Sequence, residues 1–192
     1  MGARRVVVTE DEALIRLDLV ELLTEGGFEV VGEAADGAAG AELVQRLRPD
    51  VAVFDVKLPG MDGISAAQLV ADDVPVVLVT AFSQRELVER AVAAGAMAYV
   101  VKPFGKADLL PALEVAMARF SQLRTLAAEL DSTMEQLAAR KLVDRAKGLL
   151  MANHAMTEPD AFRWLQKAAM DRRVSLTQVA ELVIAELSQR PQ

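Results

Sequence analysis

Five side chains far apart in the chain, Glu10, Asp11, Asp55, Thr80 and Lys102, could together do phosphoryl chemistry. Three are carboxylates, one is a hydroxyl and one is an ammonium. Carboxylates crowded together repel one another. A hard divalent cation relieves that repulsion, and magnesium takes oxygen ligands and few of them. A carboxylate beside such a cation can attack the phosphorus of a phosphoryl donor, while a hydroxyl and an ammonium bind the remaining phosphoryl oxygens. Taken singly, Asp55 reads as a solvated carboxylate at a strand end, Thr80 as a buried hydroxyl and Lys102 as a surface lysine. Their common placement changes that reading, because each closes or directly follows a short apolar run.

Those runs cover residues 5–9, 28–32, 51–55, 75–80 and 98–101. Continuous apolar stretches of this length predict parallel strands covered on both faces. Between them lie segments with helical spacing. The first carries Leu14, Ile15, Leu17, Leu19, Val20, Leu22 and Leu23, and Gly26-Gly27 stops it. Asp36 caps a helix carrying Leu43, Val44 and Leu47, and residues 64–70 form a short one. Ser83 and Glu86 make a capping box for a helix ending at Gly95, and a last helix begins near Ala107. Strands alternating with helices predict an α/β, doubly wound, flavodoxin-like fold with a five-stranded parallel sheet in the order 2-1-3-4-5. Strands one and three are then neighbours at the switch point. Glu10, Asp11 and Asp55 converge in one crevice, with Thr80 and Lys102 closing strands on its other side.

Composition narrows the setting. Cysteine is absent and there is one His, so disulfides, thiolate metal sites and zinc sites are excluded. No apolar run approaches membrane-spanning length. The start, Met1-Gly2-Ala3-Arg4-Arg5, does not read as a signal peptide, and Val6 breaks a myristoylation pattern, so a cytoplasmic protein is expected. The net charge of −7 is uneven: residues 1–120 hold 11 Lys/Arg against 19 Asp/Glu, whereas residues 136–180 hold 8 against 4. An acidic first part joined to a locally basic second part implies two jobs.

The second part reads as all-α. No Gly or Pro interrupts residues 112–147, and Pro111 falls in a helical first turn. Leu113, Phe120, Ala127 and Met134 recur every seven residues, as do Ala116, Leu123, Leu130 and Leu137. That is a heptad seam, read either as a helix packed on its own first domain or as a coiled coil between chains; the second reading is preferred. Thr157 with Asp160, and Ser175 with Gln178, open two further helices. The first of these carries Ala161, Phe162, Leu165, Ala168, Ala169 and Met170 as its apolar residues. The outcome is a three-helix unit whose first helix extends the seam. Its scattered Lys and Arg are either a solvated face or phosphate contacts to nucleic acid, and charge alone leaves that open.

Residues 1–120 resemble a receiver domain of two-component response regulators. The resemblance is carried by Glu10-Asp11-Glu12, by the run Asp55-Val56-Lys57-Leu58-Pro59-Gly60-Met61-Asp62-Gly63, by Thr80-Ala81, and by Tyr99-Val100-Val101-Lys102-Pro103-Phe104. It implies that Asp55 accepts a phosphoryl group from a sensor histidine kinase. Mg²⁺ would be bound by Asp11, Asp55 and the backbone carbonyl of Lys57, with Glu10 alongside. Thr80 would move onto the phosphoryl group, Tyr99 would rotate inward, and the Lys102–Pro103 peptide would be cis. Glu10 departs from the Asp more usual at its position. Lys57 and Phe82, two residues past Asp55 and Thr80, would shield the acyl phosphate and slow its hydrolysis.

Residues 124–187 resemble an ANTAR domain, the RNA-binding module of antitermination regulators. This rests on Leu137-x-x-Arg140, Ala146-Lys147-Gly148-x-Leu150-Met151, Ala161-Phe162-x-x-Leu165, Ala168-Ala169-Met170 and Val179-Ala180. The whole chain is similar to actinobacterial phosphorylation-dependent antitermination regulators. The resemblance implies binding of paired RNA hairpins so that a terminator does not form. Arg140, Lys147, Gly148, Arg172 and Arg173 are the candidate RNA contacts, and Trp164 is assigned to packing. The expected domains are a receiver (1–120), a coiled-coil linker (113–137) and ANTAR (124–187), with pairing of two chains on phosphorylation. The rival readings are a DNA-binding response regulator and a regulator acting through protein contacts. An enzyme is not expected, since the crevice offers no separate general base.

Overall fold

Valine-rich runs with no wet face belong in the middle layer of a sandwich. In the computed structural model, which describes residues 2–81 and 85–188, they form β1 (Arg4–Thr9), β2 (Phe28–Ala34), β3 (Val51–Asp55), β4 (Val76–Thr80) and β5 (Ala98–Val101). The strands pair in parallel in the order β2-β1-β3-β4-β5, the flavodoxin-like arrangement that the alternation of strands and helices predicts. Side chains alternate between two cores. Val7, Ala52, Phe54, Val76 and Leu78 pack with α2 (Gly37–Leu47), α3 (Gly63–Val70) and Ala91 of α4 (Arg85–Ala93). Val6, Val8, Val51, Val53, Val77, Val79 and Val100 pack with α1 (Ala13–Glu25) and the start of α5 (Lys106–His154).

Local chemistry sets the helix ends. Asp36 accepts a hydrogen bond from the Ala39 backbone N–H at 2.9 Å, and Asp62 accepts one from Ser65 at 2.7 Å. Each satisfies a donor that the first helical turn leaves open. The α1 helix stops at Gly26, and Gly27 takes a φ of 85°, which favours glycine. The sequence places Ser83 at the start of α4; that residue lies outside those described. Pro111 sits one turn later than the sequence reading has it. Because α5 begins at Lys106, Pro111 falls in the second turn, and the Ala107 carbonyl lacks its usual helical donor.

The described residues divide into two compact units between Arg124 and Thr125, a point inside α5. In the second unit the later part of α5, α6 (Glu158–Arg172) and α7 (Leu176–Ser188) bury Ala146, Leu150, Ala161, Leu165, Val179, Ala180 and Val183. The Ser175–Gln178 box is closed in both directions, with Ser175 N–H donating to Gln178 Oε1 at 2.9 Å and Gln178 N–H to Ser175 Oγ at 3.1 Å. The Thr157–Asp160 box closes differently. The Thr157 side chain makes no cap hydrogen bond to the backbone, and its hydroxyl donates to the Asp160 carboxylate at 2.5 Å.

Candidate functional site

Adjacent strands bring distant residues together. Glu10 follows β1, Asp55 ends β3, Thr80 ends β4 and Lys102 follows β5. One oxygen from each of Glu10, Asp11 and Asp55 lies within 4.8 Å of the others. Glu10 and Asp55 are buried, as is Thr80, while Asp11 is exposed. The Lys102 ammonium reaches both buried carboxylates, at 2.6 Å from Glu10 Oε2 and 2.8 Å from Asp55 Oδ1. The other Asp55 oxygen, Oδ2, accepts the Lys57 backbone N–H at 2.8 Å. Asp55 is thus held from two sides in one orientation, and the peptide after Lys102 is cis, as the resemblance implies.

The charges do not balance. Three carboxylates face one ammonium. Burial pushes the Glu10 carboxyl up, against the Lys102 hydrogen bond that pulls it down, and the nearby Asp55 charge adds to the upward push. For Lys102 burial alone favours the neutral amine, but the hydrogen bonds and charges of Asp55 and Glu10 outweigh it and hold the ammonium above its ordinary range. A site made only of oxygen donors, with negative charge left over, fits a hard divalent cation. Lys102 already engages both Glu10 Oε2 and Asp55 Oδ1, so Asp11, exposed at the mouth of the site, is the most available anionic ligand.

Backbone geometry makes room for the site. A Cβ on Gly63 would lie 1.8 Å from the Asp55 carbonyl oxygen, and the Gly63 N–H donates to the Val56 carbonyl at 3.0 Å. The loop after β3 therefore folds tightly back on the end of its own strand. The only sequence signal for this role of Gly63 is its place directly after the capping Asp62. Asp11, Asp55, Lys57, Thr80 and Lys102 all line one cleft of about 900 Å³, which continues along α1 and is walled by Ile15, Leu22, Pro103 and Phe104. Tyr99 does not line it. Its ring packs with the core on the α2–α3 side of the sheet, and burial pushes its phenol up. Phe82 lies outside the described residues.

Residues 6–114 match the response regulator receiver domain and residues 131–184 the ANTAR domain. The chain is a receiver–ANTAR response regulator. It is 55% identical over 186 residues to the transcriptional regulatory protein PdtaR of Mycobacterium tuberculosis H37Rv, covering 96% of this chain and 91% of that one. The chemotaxis protein CheY of Thermotoga maritima is 34% identical over 113 residues, 57% of this chain and 94% of its own. Among solved structures, the signal receiver domain of NarL from Mycobacterium tuberculosis superposes with a TM-score of 0.59 at 34% identity, covering 62% of this chain and 98% of that one. No helix among the described residues is long and apolar enough to cross a membrane.

The second set of candidate residues in this response regulator sorts into two kinds. Arg140, Arg172 and Arg173 are exposed, and Arg173 closes α6 in the left-handed region at a φ of 54°. Lys147 is committed. Its ammonium lies 2.8 Å from Asp144 and 2.8 Å from Glu158, so it ties α5 to the start of α6 with only 16% of its side chain exposed. Hydrogen bonds to those two carboxylates hold it above the ordinary lysine range. A Cβ on Gly148 would meet nothing within 4 Å, so no other helix described here accounts for that glycine. Trp164 is 42% exposed and Met170 78% exposed. The assignment of Trp164 to packing is therefore corrected. Trp164 and Met170 both fall outside the α6 stripe of Ala161 and Leu165 that meets the core.

Proposed function

We propose that the chain is a phosphorylation-controlled regulator that binds paired RNA hairpins and causes transcription antitermination in the cytoplasm. The observation that carries the first half is the cluster of Glu10, Asp11 and Asp55 oxygens with a single ammonium between two of them. The Asp55 carboxylate attacks the phosphorus of a phosphohistidine on a sensor kinase. An O–P bond forms, the P–N bond breaks, and the kinase imidazole leaves. Asp11, Asp55 and the Lys57 carbonyl, with Glu10 alongside, would hold Mg²⁺, which would supply positive charge to neutralise phosphoryl oxygens. Lys102 already orients Asp55 at 2.8 Å, and with the Thr80 hydroxyl it takes phosphoryl oxygens as they arrive. The motion of Thr80 is followed by Tyr99, which sits on the neighbouring strand beside Leu78.

The output half rests on the ANTAR match over residues 131–184. Arg140, Gly148, Arg172 and Arg173 are the contacts assigned to RNA; Lys147, expected among them from the sequence, is left out because Asp144 and Glu158 hold it at 2.8 Å. Of the 113–137 heptads, the repeats beyond the first join two chains: Leu123, Leu130, Met134 and Leu137 are 50–62% exposed, whereas Leu113 and Ala116 are buried in the receiver. Pairing sets two ANTAR units on two hairpins and raises avidity. The test is binding of the full chain to a paired-hairpin RNA and to matched duplex DNA, with and without Mg²⁺ and beryllofluoride. RNA-selective binding that tightens with the mimic is expected. Binding indifferent to the mimic removes the phosphorylation control, and preference for DNA removes the RNA output.

A further inference from the structure

We infer that the phosphate-contacting face of the second unit is the stripe of Lys141, Arg145 and Gly148 on α5, the continuation of the pairing seam, and that Lys147 is a strut. This rests on the RNA-binding and pairing readings above. On an α-helix, residues spaced by four, seven and eleven share one stripe. Leu130, Met134, Leu137 and Lys141 follow that spacing, and Lys141, Arg145, Gly148 and Ala152 repeat it. All of them are exposed. The same helix buries Ala146 and Leu150 against α6 and α7, and these point about half a turn away from Gly148. The stripe is therefore the face of α5 that the unit does not use for its own core.

Its chemistry changes abruptly at Lys141. Up to Leu137 the seam is apolar, and beyond it the next seam positions hold an ammonium, an acid and a glycine. Two helices paired through Leu130, Met134 and Leu137 bring like charges together at Lys141, which disfavours further pairing. Asp144, at the following seam position, does not neutralise that charge, since its carboxylate is taken by Lys147 at 2.8 Å and lies 4.0 Å from Arg140. Lys141 and Arg145 have no ion-pair partner among the described residues. Two unpaired cations one turn apart, beside a glycine with open space over its backbone, suit the phosphodiester backbone of an RNA stem. The cations bind phosphates and the missing side chain lets the strand come close. In a pair of chains two such stripes flank the symmetry axis just past the point where pairing ends. Lys147, held by Asp144 and Glu158, faces the core side and keeps α6 in place.

The test uses the full chain with Mg²⁺ and beryllofluoride and a paired-hairpin RNA, followed over a range of salt. Three variants are compared with the parent: Lys141→Ala with Arg145→Ala, Gly148→Gln, and Lys147→Met. The double variant is expected to lose about tenfold or more in affinity, and the slope of log affinity against log salt is expected to fall by about 2 per chain. Gly148→Gln, a better helix former in open space, is expected to keep or raise the melting temperature while weakening RNA binding. Lys147→Met is expected to leave the salt slope as in the parent. A parent that binds RNA while the double variant matches it in affinity and slope overturns this assignment and leaves the RNA reading standing. A slope that falls in Lys147→Met instead does the same. A parent that binds duplex DNA or no nucleic acid in either state overturns both.

Discussion

Lys102 decides the state of the receiver site. Two buried carboxylates, Glu10 and Asp55, share its ammonium at 2.6 and 2.8 Å. Removing one partner of a buried ionic group leaves the others uncompensated, which costs on the order of 3 kcal/mol. The Lys102→Met protein is therefore expected to unfold at lower urea by about that free energy in metal-free buffer. Part of the loss should return on adding Mg²⁺, because a cation can replace the missing charge. Urea midpoints with and without Mg²⁺ check both statements. A variant as stable as the parent in metal-free buffer would show that the ammonium is not what permits the carboxylates to be buried. Asp11, exposed and without an ion-pair partner among the described residues, is the carboxylate with least to lose on taking a metal.

At the scale of elements, caps and close approaches hold the loops around the site. Asp62 caps α3 just before Gly63, where the chain folds back on Asp55. Burial favours the protonated Asp62 carboxyl. The Ser65 backbone and side-chain hydrogen bonds and the Arg90 charge outweigh it and hold the group below the ordinary aspartate range. A carboxyl whose pKa is lower in the folded state contributes stability above its unfolded pKa, and that contribution is lost as pH falls through the folded value. Asp62→Ala is expected to cost about 1 kcal/mol at pH 7, typical of an N-cap, and less at a pH where the carboxyl is protonated in both states and caps only as a neutral acceptor. Asp62→Asn keeps an acceptor and is expected to flatten the pH dependence. Chemical denaturation at pH 7 and in acid separates the three proteins, and equal losses for Ala at both pH values would remove the ionised cap from the account.

For the whole molecule the heptad seam has two fates. Leu113 and Ala116 are fully buried against the receiver sheet, so the first repeat serves the chain's own fold. Leu123, Leu130, Met134 and Leu137 lie in the open. Leu130→Glu with Leu137→Glu is expected to leave the melting temperature of the uncomplexed chain close to the parent's, since neither side chain is in a core. It is expected to keep the beryllofluoride-treated protein monomeric by sedimentation, where the parent is expected to pair. A double variant that still pairs would move the interface off this helix.

The strand order was legible because five valine-rich runs alternated with helical spacing, a pattern that admits few arrangements. Glu10, Asp11, Asp55, Thr80 and Lys102 were legible because each closes or follows such a run, and a parallel sheet collects the carboxyl ends of its strands. The caps at Asp36 and Ser175 were legible for the same local reason, as they depend on neighbours within one turn. Which partner each polar side chain takes is a matter of long-range placement, and no local pattern contains it. Lys102 could have faced solvent, yet 92 residues separate it from the Glu10 it holds. Lys147 reads in sequence like the cations beside it, but only the packing of α6 puts Glu158 within 2.8 Å. Trp164 reads as core by its apolar character, but α6 turns Ala161 and Leu165 into the core and leaves Trp164 42% exposed. The sequence alone determined the fold, the family and the residues that meet at the ends of the strands; the tertiary structure decided which of those charges are spent on one another and which remain open, because ion pairing depends on distances that only packing sets.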